Sequence, residues 1–256
     1  MATTDIQEAR DMKALEERVY TVLSRALLAG QLSAGAPLRE TALAELFGIS
    51  RERVRKILQR LGTNRLIELV PNRGASVVTP PMGQARVIYD ARRILEGGIV
   101  AHLAPTLGEA QLARLREHVA QEASALAAGD RAESVRLSAQ FHMILADATD
   151  NVFIVQQMHE LVSRTAMMVA LHDSAAGAHC ACDEHRDIFD ALVQGDGPAA
   201  SKAMLAHLSL VETRLRPLDQ ARSRDAIETL RELWDEALPA LSSPATPSAA
   251  ASPSAR

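Results

Sequence analysis

The densest group of chemically active side chains lies between residues 39 and 73, where eight Arg and Lys residues stand beside four Asp and Glu residues. Guanidinium and ammonium groups at this density suit phosphates, which Arg binds with paired hydrogen bonds and Lys binds as a point charge. The whole chain carries a net charge of −4, which alone argues against a nucleic-acid partner. Residues 1–81, however, hold 12 of the 28 basic and 9 of the 32 acidic residues, a net charge of +3, so the remainder carries −7. We therefore expect the first part of the chain to contact a polyanion.

Helical periodicity places this basic group on short helices followed by a hairpin. Three segments repeat apolar residues at helical spacing: Lys13–Leu28, Leu38–Phe47 and Arg51–Leu61. Two short β-branched segments, residues 66–70 and 75–79, then flank a Pro-Asn-Arg-Gly sequence with the composition of a turn. Three helices followed by a β-hairpin form the layout of a winged helix-turn-helix domain, whose third helix enters the major groove of DNA.

The third helix of this layout has an apolar face and a charged face. Its apolar stripe begins at Val54 and ends at Leu61, and about 100° of rotation per residue puts the charged side chains opposite. Ser50 precedes the helix and can offer its hydroxyl and nearby amides to a phosphate. The alternative is a solvated basic helix face without a ligand. The predicted DNA-contacting residues are Arg39, Thr41, Ser50, Arg51, Glu52, Arg53, Arg55, Lys56, Arg60 and, at the hairpin tip, Arg73.

Residues 30–78 resemble the N-terminal domain of the GntR family of bacterial transcription regulators. The matching residues are Leu38, Glu40, Leu43-Ala44, Gly48-Ile49-Ser50-Arg51, Val54-Arg55, Leu58 and Leu61. The chain departs from this pattern at Glu52-Arg53, where relatives commonly carry Thr-Pro, and at Lys56, where Glu is usual. We therefore expect Glu52 to accept a hydrogen bond from a cytosine amino group or to repel the backbone of wrong sites, giving an operator that differs from the common one.

The remainder of the chain is helical in period from Met82 onward, and Pro80-Pro81 marks the boundary. The residues Thr106-Leu-Gly-Glu109 form a capping-box pattern that predicts the start of a second helix. Later helices are predicted at residues 131–148, 152–172, 180–194, 198–215 and 221–237. The predicted fold is mainly α: a winged helix-turn-helix in residues 1–81, a bundle of six or seven helices in 82–238, and a disordered Pro/Ser/Ala-rich tail in 239–256.

Three histidines of the bundle stand in Phe-His, Glu-His and His-Leu sequences. Together with residues 89–104, these sequences resemble the FCD ligand-binding domain of the FadR branch of GntR regulators. In metal-binding members, one Asp and three His hold a divalent ion, and the resemblance assigns the three ligands to His142, His185 and His207. Zn, Ni or Mn suit such a set. Ser138 stands where the family has Asp, so a pocket of three buried histidines without metal is the alternative.

Two further features of the bundle have competing interpretations. The resemblance implies that Arg92 binds the carboxylate of an effector and that Ser138 lies in the same site, whereas a surface pair with Glu96 is the simpler explanation of Arg92. Cys180 and Cys182 lie too close in sequence for a useful disulfide. They could form a zinc knuckle, or a thiol such as that of Cys182 could replace the missing Asp.

The sequence therefore predicts a homodimeric DNA-binding regulator, a repressor rather than an activator, that recognises a palindromic operator. A small organic acid in the bundle would change the separation of the two DNA-binding domains. The alternative is a metal-dependent enzyme that uses the three histidines, although no motif places a general base beside them. No apolar run reaches the roughly 18 residues of a membrane span, so we expect a cytoplasmic protein.

Overall fold

The computed structural model describes residues 2–70, 74–173, 177–216 and 225–240. These ranges form a mainly α structure, which confirms the predicted fold class, and none of their helices is both long and apolar enough to span a membrane. The elements are α1 Ala2–Leu28, β1 Pro37–Leu38, α2 Glu40–Phe47, α3 Arg51–Thr63, β2 Ile67–Val70, β3 Gly74–Val77, a 3-10 turn Met82–Gln84, α4 Ala85–Leu103, α5 Glu109–Ala127, α6 Arg131–Asp147, α7 Val152–His172, α8 Gly177–Val193, α9 Gly197–Arg214 and α10 Ala226–Ala240.

The N-terminal helices and strands form the predicted winged helix-turn-helix, with two differences from expectation. Helix α1 begins at Ala2 rather than at Lys13, because the added residues are mostly polar and show no apolar period. Within this extension Gln7 donates to Asp11 at 2.8 Å. Pro37 and Leu38 form a strand that the sequence did not predict, and it pairs antiparallel with β3. The sheet order is β1-β3-β2. Proline is tolerated at this sheet edge because it has no N–H to leave unpaired.

Helices α4 and α9 cross closely because glycines lie at their contact. A Cβ on Gly197 would lie 2.9 Å from the carbonyl oxygen of Ala101, so only glycine fits there. The predicted capping box at Thr106 is wrong, since the backbone N–H of Gly108 donates instead to Gln111 Oε1 at 3.0 Å. The hydroxyl of Thr106 donates instead to the carbonyl oxygens of His102 and Leu103, in the last turn of α4.

Helix α10 packs against the N-terminal helices. Leu230 and Trp234 lie in the same hydrophobic core as α1 and α2, where the rings of Trp234 and Phe47 meet edge to face at 4.9 Å. The guanidinium of Arg18 lies 4.4 Å from the centre of the Trp234 ring, in cation-π geometry. The predicted tail overlaps α10 at residues 239–240, and residues 241–256 lie outside the described ranges.

Candidate functional site

Three helices of the bundle bring the predicted histidines together. His142 on α6, His185 on α8 and His207 on α9 are buried, each at most 3 % exposed. The Nε2 atom of His207 lies 3.2 Å from Nε2 of His185 and 3.3 Å from Nε2 of His142. The ring of Phe141 stacks on His185 at 4.1 Å between ring centres and so fixes its plane. The bundle therefore directs the same nitrogen of three imidazoles at one point.

A carboxylate stands behind each of these rings. His185 Nδ1 donates to Glu122 Oε1 at 2.8 Å, and His207 Nδ1 donates to Glu184 Oε2 at 2.8 Å. His142 Nδ1 lies 2.5 Å from Glu96 Oε2, although the angles of this contact are not those of a hydrogen bond. Carboxylates in this position hold the proton on Nδ1 and leave the Nε2 lone pair for a ligand. Sequence reasoning had noted Glu96 and Glu184 only as neighbours in motifs and missed Glu122, which has no sequence signal beside it.

Burial keeps the rings of His142 and His207 neutral near pH 7. Desolvation lowers the pKa of His142 to about 4, although Glu96 acts in the opposite sense. Desolvation, followed by the charges of His185 and His142, also lowers the pKa of His207 well below its usual value. Burial alone would raise the pKa of Glu96, but Arg92 and His142 outweigh it and bring that pKa to about 2. The site thus contains neutral imidazole rings, and the carboxylate of Glu96 behind His142 is ionised.

The donor set fits a divalent metal. Unprotonated Nε2 atoms cannot hydrogen-bond to one another, so their lone pairs repel at the observed distances unless a cation or proton lies between them. Two nitrogens sharing a tetrahedral zinc are about 3.3 Å apart, which matches the two distances of the cluster. Within the described residues, the group of donor atoms lying within 4.8 Å of one another consists of His142, His185 and His207. Cys182 is not in that group, so the idea that its thiol replaces the missing Asp is wrong.

Arg92 is buried rather than on the surface, which corrects the surface-pair interpretation. Its Nε donates to Glu96 at 2.6 Å and its Nη1 to Thr165 Oγ1 at 2.8 Å, with only 4 % of the residue exposed. Its Nη2 and the hydroxyl of Tyr89 find no hydrogen-bond partner among the described residues. Both residues line a cavity together with Ser138, His142 and His207. Two unpaired buried donors beside a histidine cluster suit a carboxylate.

Cys182 is buried and carries a free thiol. Burial raises the pKa of this thiol, and the charge of Glu122 adds to the effect, so the neutral form predominates near pH 7. The side chain of Cys180 lies outside the described residues, and so the predicted zinc knuckle cannot be placed.

The second candidate site is the exposed face of α3. Its N-terminus is capped by Ser50, whose Oγ accepts from the backbone N–H of Arg53 at 3.4 Å. Arg55 reaches across to α2 and donates to both carboxylate oxygens of Glu40 at 2.9 and 2.8 Å. An open groove runs between α3, the start of α2 and β3, and the predicted residues Arg39, Thr41, Arg51 and Arg55 line it.

Two predicted contact residues are turned toward α1 instead. Arg53 is paired with Glu16, and Arg60 donates to Glu17 at 2.6 Å while its guanidinium stacks 3.7 Å from the ring centre of Tyr20. These contacts give both arginines a role in fixing α3 against α1. Glu52 and Lys56 are exposed and form an i,i+4 pair at 3.1 Å. Arg73 lies outside the described residues.

Comparisons with known proteins agree with this arrangement. Residues 15–77 match the family described as bacterial regulatory proteins, gntR family, and residues 87–210 match the FCD domain. The HTH-type transcriptional repressor RspR of Escherichia coli K12 is 26 % identical over 212 residues, covering 82 % of this chain and 92 % of that protein. The HTH-type transcriptional regulator LutR of Bacillus subtilis is 29 % identical over 205 residues, covering 72 % and 93 %.

Solved structures give the same result. A transcriptional regulator GntR from Rhodococcus sp. RHA1 has a TM-score of 0.64 at 26 % identity, covering 77 % of this chain and 95 % of that one. McbR/YncC of E. coli shares the fold with a TM-score of 0.62 at 22 % identity, covering 77 % and 94 %. A basic winged helix, a histidine-centred helical bundle and these two domain matches in the same order identify the chain as a DNA-binding transcription regulator of the GntR family with an FCD domain.

Proposed function

We propose that the chain is a homodimeric repressor that releases its palindromic operator when a small carboxylate binds inside the bundle. The observation that carries this proposal is the cavity in which the buried residues Arg92 and Tyr89 present unpaired donors beside the cluster of three imidazoles. An effector can shift the equilibrium between two arrangements of the DNA-binding domains only by its differential affinity for them. The cavity lies close to the N-terminal core, because Val135 belongs to that core and also lines the cavity.

The histidine cluster supports a resident divalent ion, with Zn, Ni and Mn as candidates. His142, His185 and His207 would hold it through Nε2, and the bound ion would supply an open coordination position for an anion. Ser138 lines the same cavity and brings no negative charge, so the effector carboxylate would supply the charge that the Asp of the family otherwise provides. The expected result is about one equivalent of metal per chain by elemental analysis of the purified protein, lost in His185→Ala but retained in the exposed control His102→Ala.

An exposed stripe on α4 supports the dimer. Val87 and Ile94 are 68 % and 77 % exposed, and Gly98 and Ala101 continue the same face at helical spacing. A two-fold axis across this stripe would pack α4 against its copy, as an isologous interface requires. Light scattering should show a dimer for the native protein and a monomer for Ile94→Glu. Ala120→Glu, which adds the same charge on exposed α5, should remain dimeric, and a dimeric Ile94→Glu would contradict this interface.

Binding to the DNA upstream of the protein's own gene tests the regulator itself. We expect saturable binding that resists non-specific competitor DNA and weakens with salt, because bound Lys and Arg residues displace counterions from phosphates.

The metal-dependent enzyme remains without support from the matched families. Each of Glu96, Glu122 and Glu184 faces a histidine Nδ1, so none of these three carboxylates is free to act as a general base. Absent DNA binding, together with metal-dependent turnover, would reverse this assignment.

A further inference from the structure

Two cavities adjoin one another in the bundle. The inner cavity contains Arg92 and the histidine edges, and its free space, open solvent included, is about 330 Å³. The outer cavity, about 550 Å³ on the same measure, extends toward Leu126 and Cys182. Four residues line both: Val135, Ser138, Val169 and Val211. The two spaces therefore share a wall formed by three valines and one serine.

The inner cavity has the groups that a carboxylate needs. Glu96 accepts from Nε of Arg92 and Thr165 from its Nη1, which leaves Nη2 without a partner among the described residues. The Tyr89 hydroxyl is likewise buried without a partner there. A buried hydrogen-bond donor without an acceptor costs free energy. An anion that accepts a hydrogen bond from each of the two groups would therefore remove both costs.

The outer cavity has a largely apolar wall and, among the described residues, no unpaired cation that would bind a second anion. Leu126 and Cys182 line this cavity and not the inner one, so they mark its far end from Arg92. Four charged residues border it. Glu122 accepts from His185, Nη2 of Arg131 donates to the carbonyl oxygens of Val169, Ala170 and Asp173, and Arg214 is paired with Glu184. Asp173 is itself an acid and would repel a second carboxylate. A methylene chain placed there would gain by leaving water, whereas a second carboxylate would lose its hydration.

We propose that the bundle takes an aliphatic monocarboxylate whose charged end lies at Arg92 and Tyr89 and whose chain passes Ser138 into the outer cavity. This inference rests on the proposed effector site and defines the chemical class of its occupant. Ser138 is the smallest of the four shared residues and the one without a branched apolar side chain. Its small volume makes it the passage between the two cavities, a role distinct from that of the family Asp which it replaces.

Calorimetry on the full-length protein with acetate, butyrate, hexanoate and octanoate tests the proposal. Affinity should rise about fourfold per methylene until the outer cavity is filled, the gain expected for burying one CH₂ group. Ser138→Leu should remove this dependence on chain length because the larger side chain closes the passage. Leu126→Trp, which fills the far end, should remove it only for the longer acids, and Ala127→Trp on the exposed face should preserve it.

The outcomes separate this inference from the function on which it rests. Equal affinity along the series, no binding of any of these acids, or tighter binding of adipate than of hexanoate would overturn the monocarboxylate site. A Ser138→Leu protein that keeps the full chain-length dependence would overturn the passage. Acetate that releases operator DNA without any gain from longer chains would leave the regulator intact and refute only this inference. Rising affinity without any effect on operator binding would instead refute the proposed regulation.

Discussion

The DNA-binding face and the bundle each contain an Arg–Glu pair of similar geometry, yet the two pairs differ in exposure. On the winged helix-turn-helix formed by α1–α3 and β1–β3, the head, Arg55 binds Glu40 at 2.8 Å while 56 % of the arginine side chain stays in solvent. In the bundle, Arg92 binds Glu96 at 2.6 Å with 5 % and 2 % of the two side chains exposed. An exposed pair is screened and can exchange its partner for a phosphate, whereas a buried pair cannot lose one member without leaving a charge in a low-dielectric interior.

Glu96→Ala should have the largest effect, because it leaves Arg92 charged and buried. We expect the free energy of unfolding in urea to fall by about 3–5 kcal/mol. Glu40→Ala on the head is the matched control and should cost less than about 1 kcal/mol, since its partner remains solvated. Equal losses in the two variants would show that exposure does not distinguish the pairs.

Trp234→Ala should be nearly as costly. Its ring fills the core between α10 and the head, where it contacts Phe47 and Arg18. Truncation of a buried Trp to Ala costs about 3 kcal/mol or more in unfolding free energy. Glu232→Ala, on the exposed side of the same helix, is the control and should leave the urea midpoint unchanged. An unaffected Trp234→Ala protein would mean that α10 does not belong to the head core in solution.

Arg55→Ala and Arg60→Ala should separate the two classes of arginine on α3. Arg55 lines the open groove, so its loss should weaken operator binding about tenfold or more. Arg60 is held by Glu17 and Tyr20, so its loss should weaken binding only a few-fold through the position of α3. Fluorescence anisotropy with operator DNA measures both. The reverse order would assign the base or phosphate contacts to the side of α3 that faces α1.

Glu52→Thr should have the smallest effect on affinity and act mainly on specificity. The carboxylate is 75 % exposed and pairs only with Lys56 in the described structure, so folding does not depend on it. Selection from a randomised operator library should give a different preferred site for the variant. An unchanged preference would contradict the expectation that Glu52 contacts or repels DNA.

Local patterns predicted the elements well where burial is periodic. The bounds of α7 coincide with the predicted segment, and those of α6, α8 and α9 differ from it by at most three residues at either end. The sequence missed β1 because two residues cannot show a period, and it missed the first turns of α1 because their residues are mostly polar and show no apolar period. The cluster of three histidines could be predicted from a family resemblance, but Glu122 could not, since it meets His185 only across the packed helices α5 and α8.

The sequence by itself determined the chemistry of this protein: a basic helix capped by Ser50, a helical bundle with three histidines, and a neutral Ser138 in place of an acid. Residue types and short-range periodicity suffice for the first two conclusions because they depend on neighbours within a few turns. The third follows from the resemblance to the FCD domain. The tertiary structure alone decided which charges are buried, which arginines face α1 and where α10 packs. These features depend on contacts between residues far apart in sequence, and the Arg92 environment shows that burial, rather than residue type, sets what a charge can do.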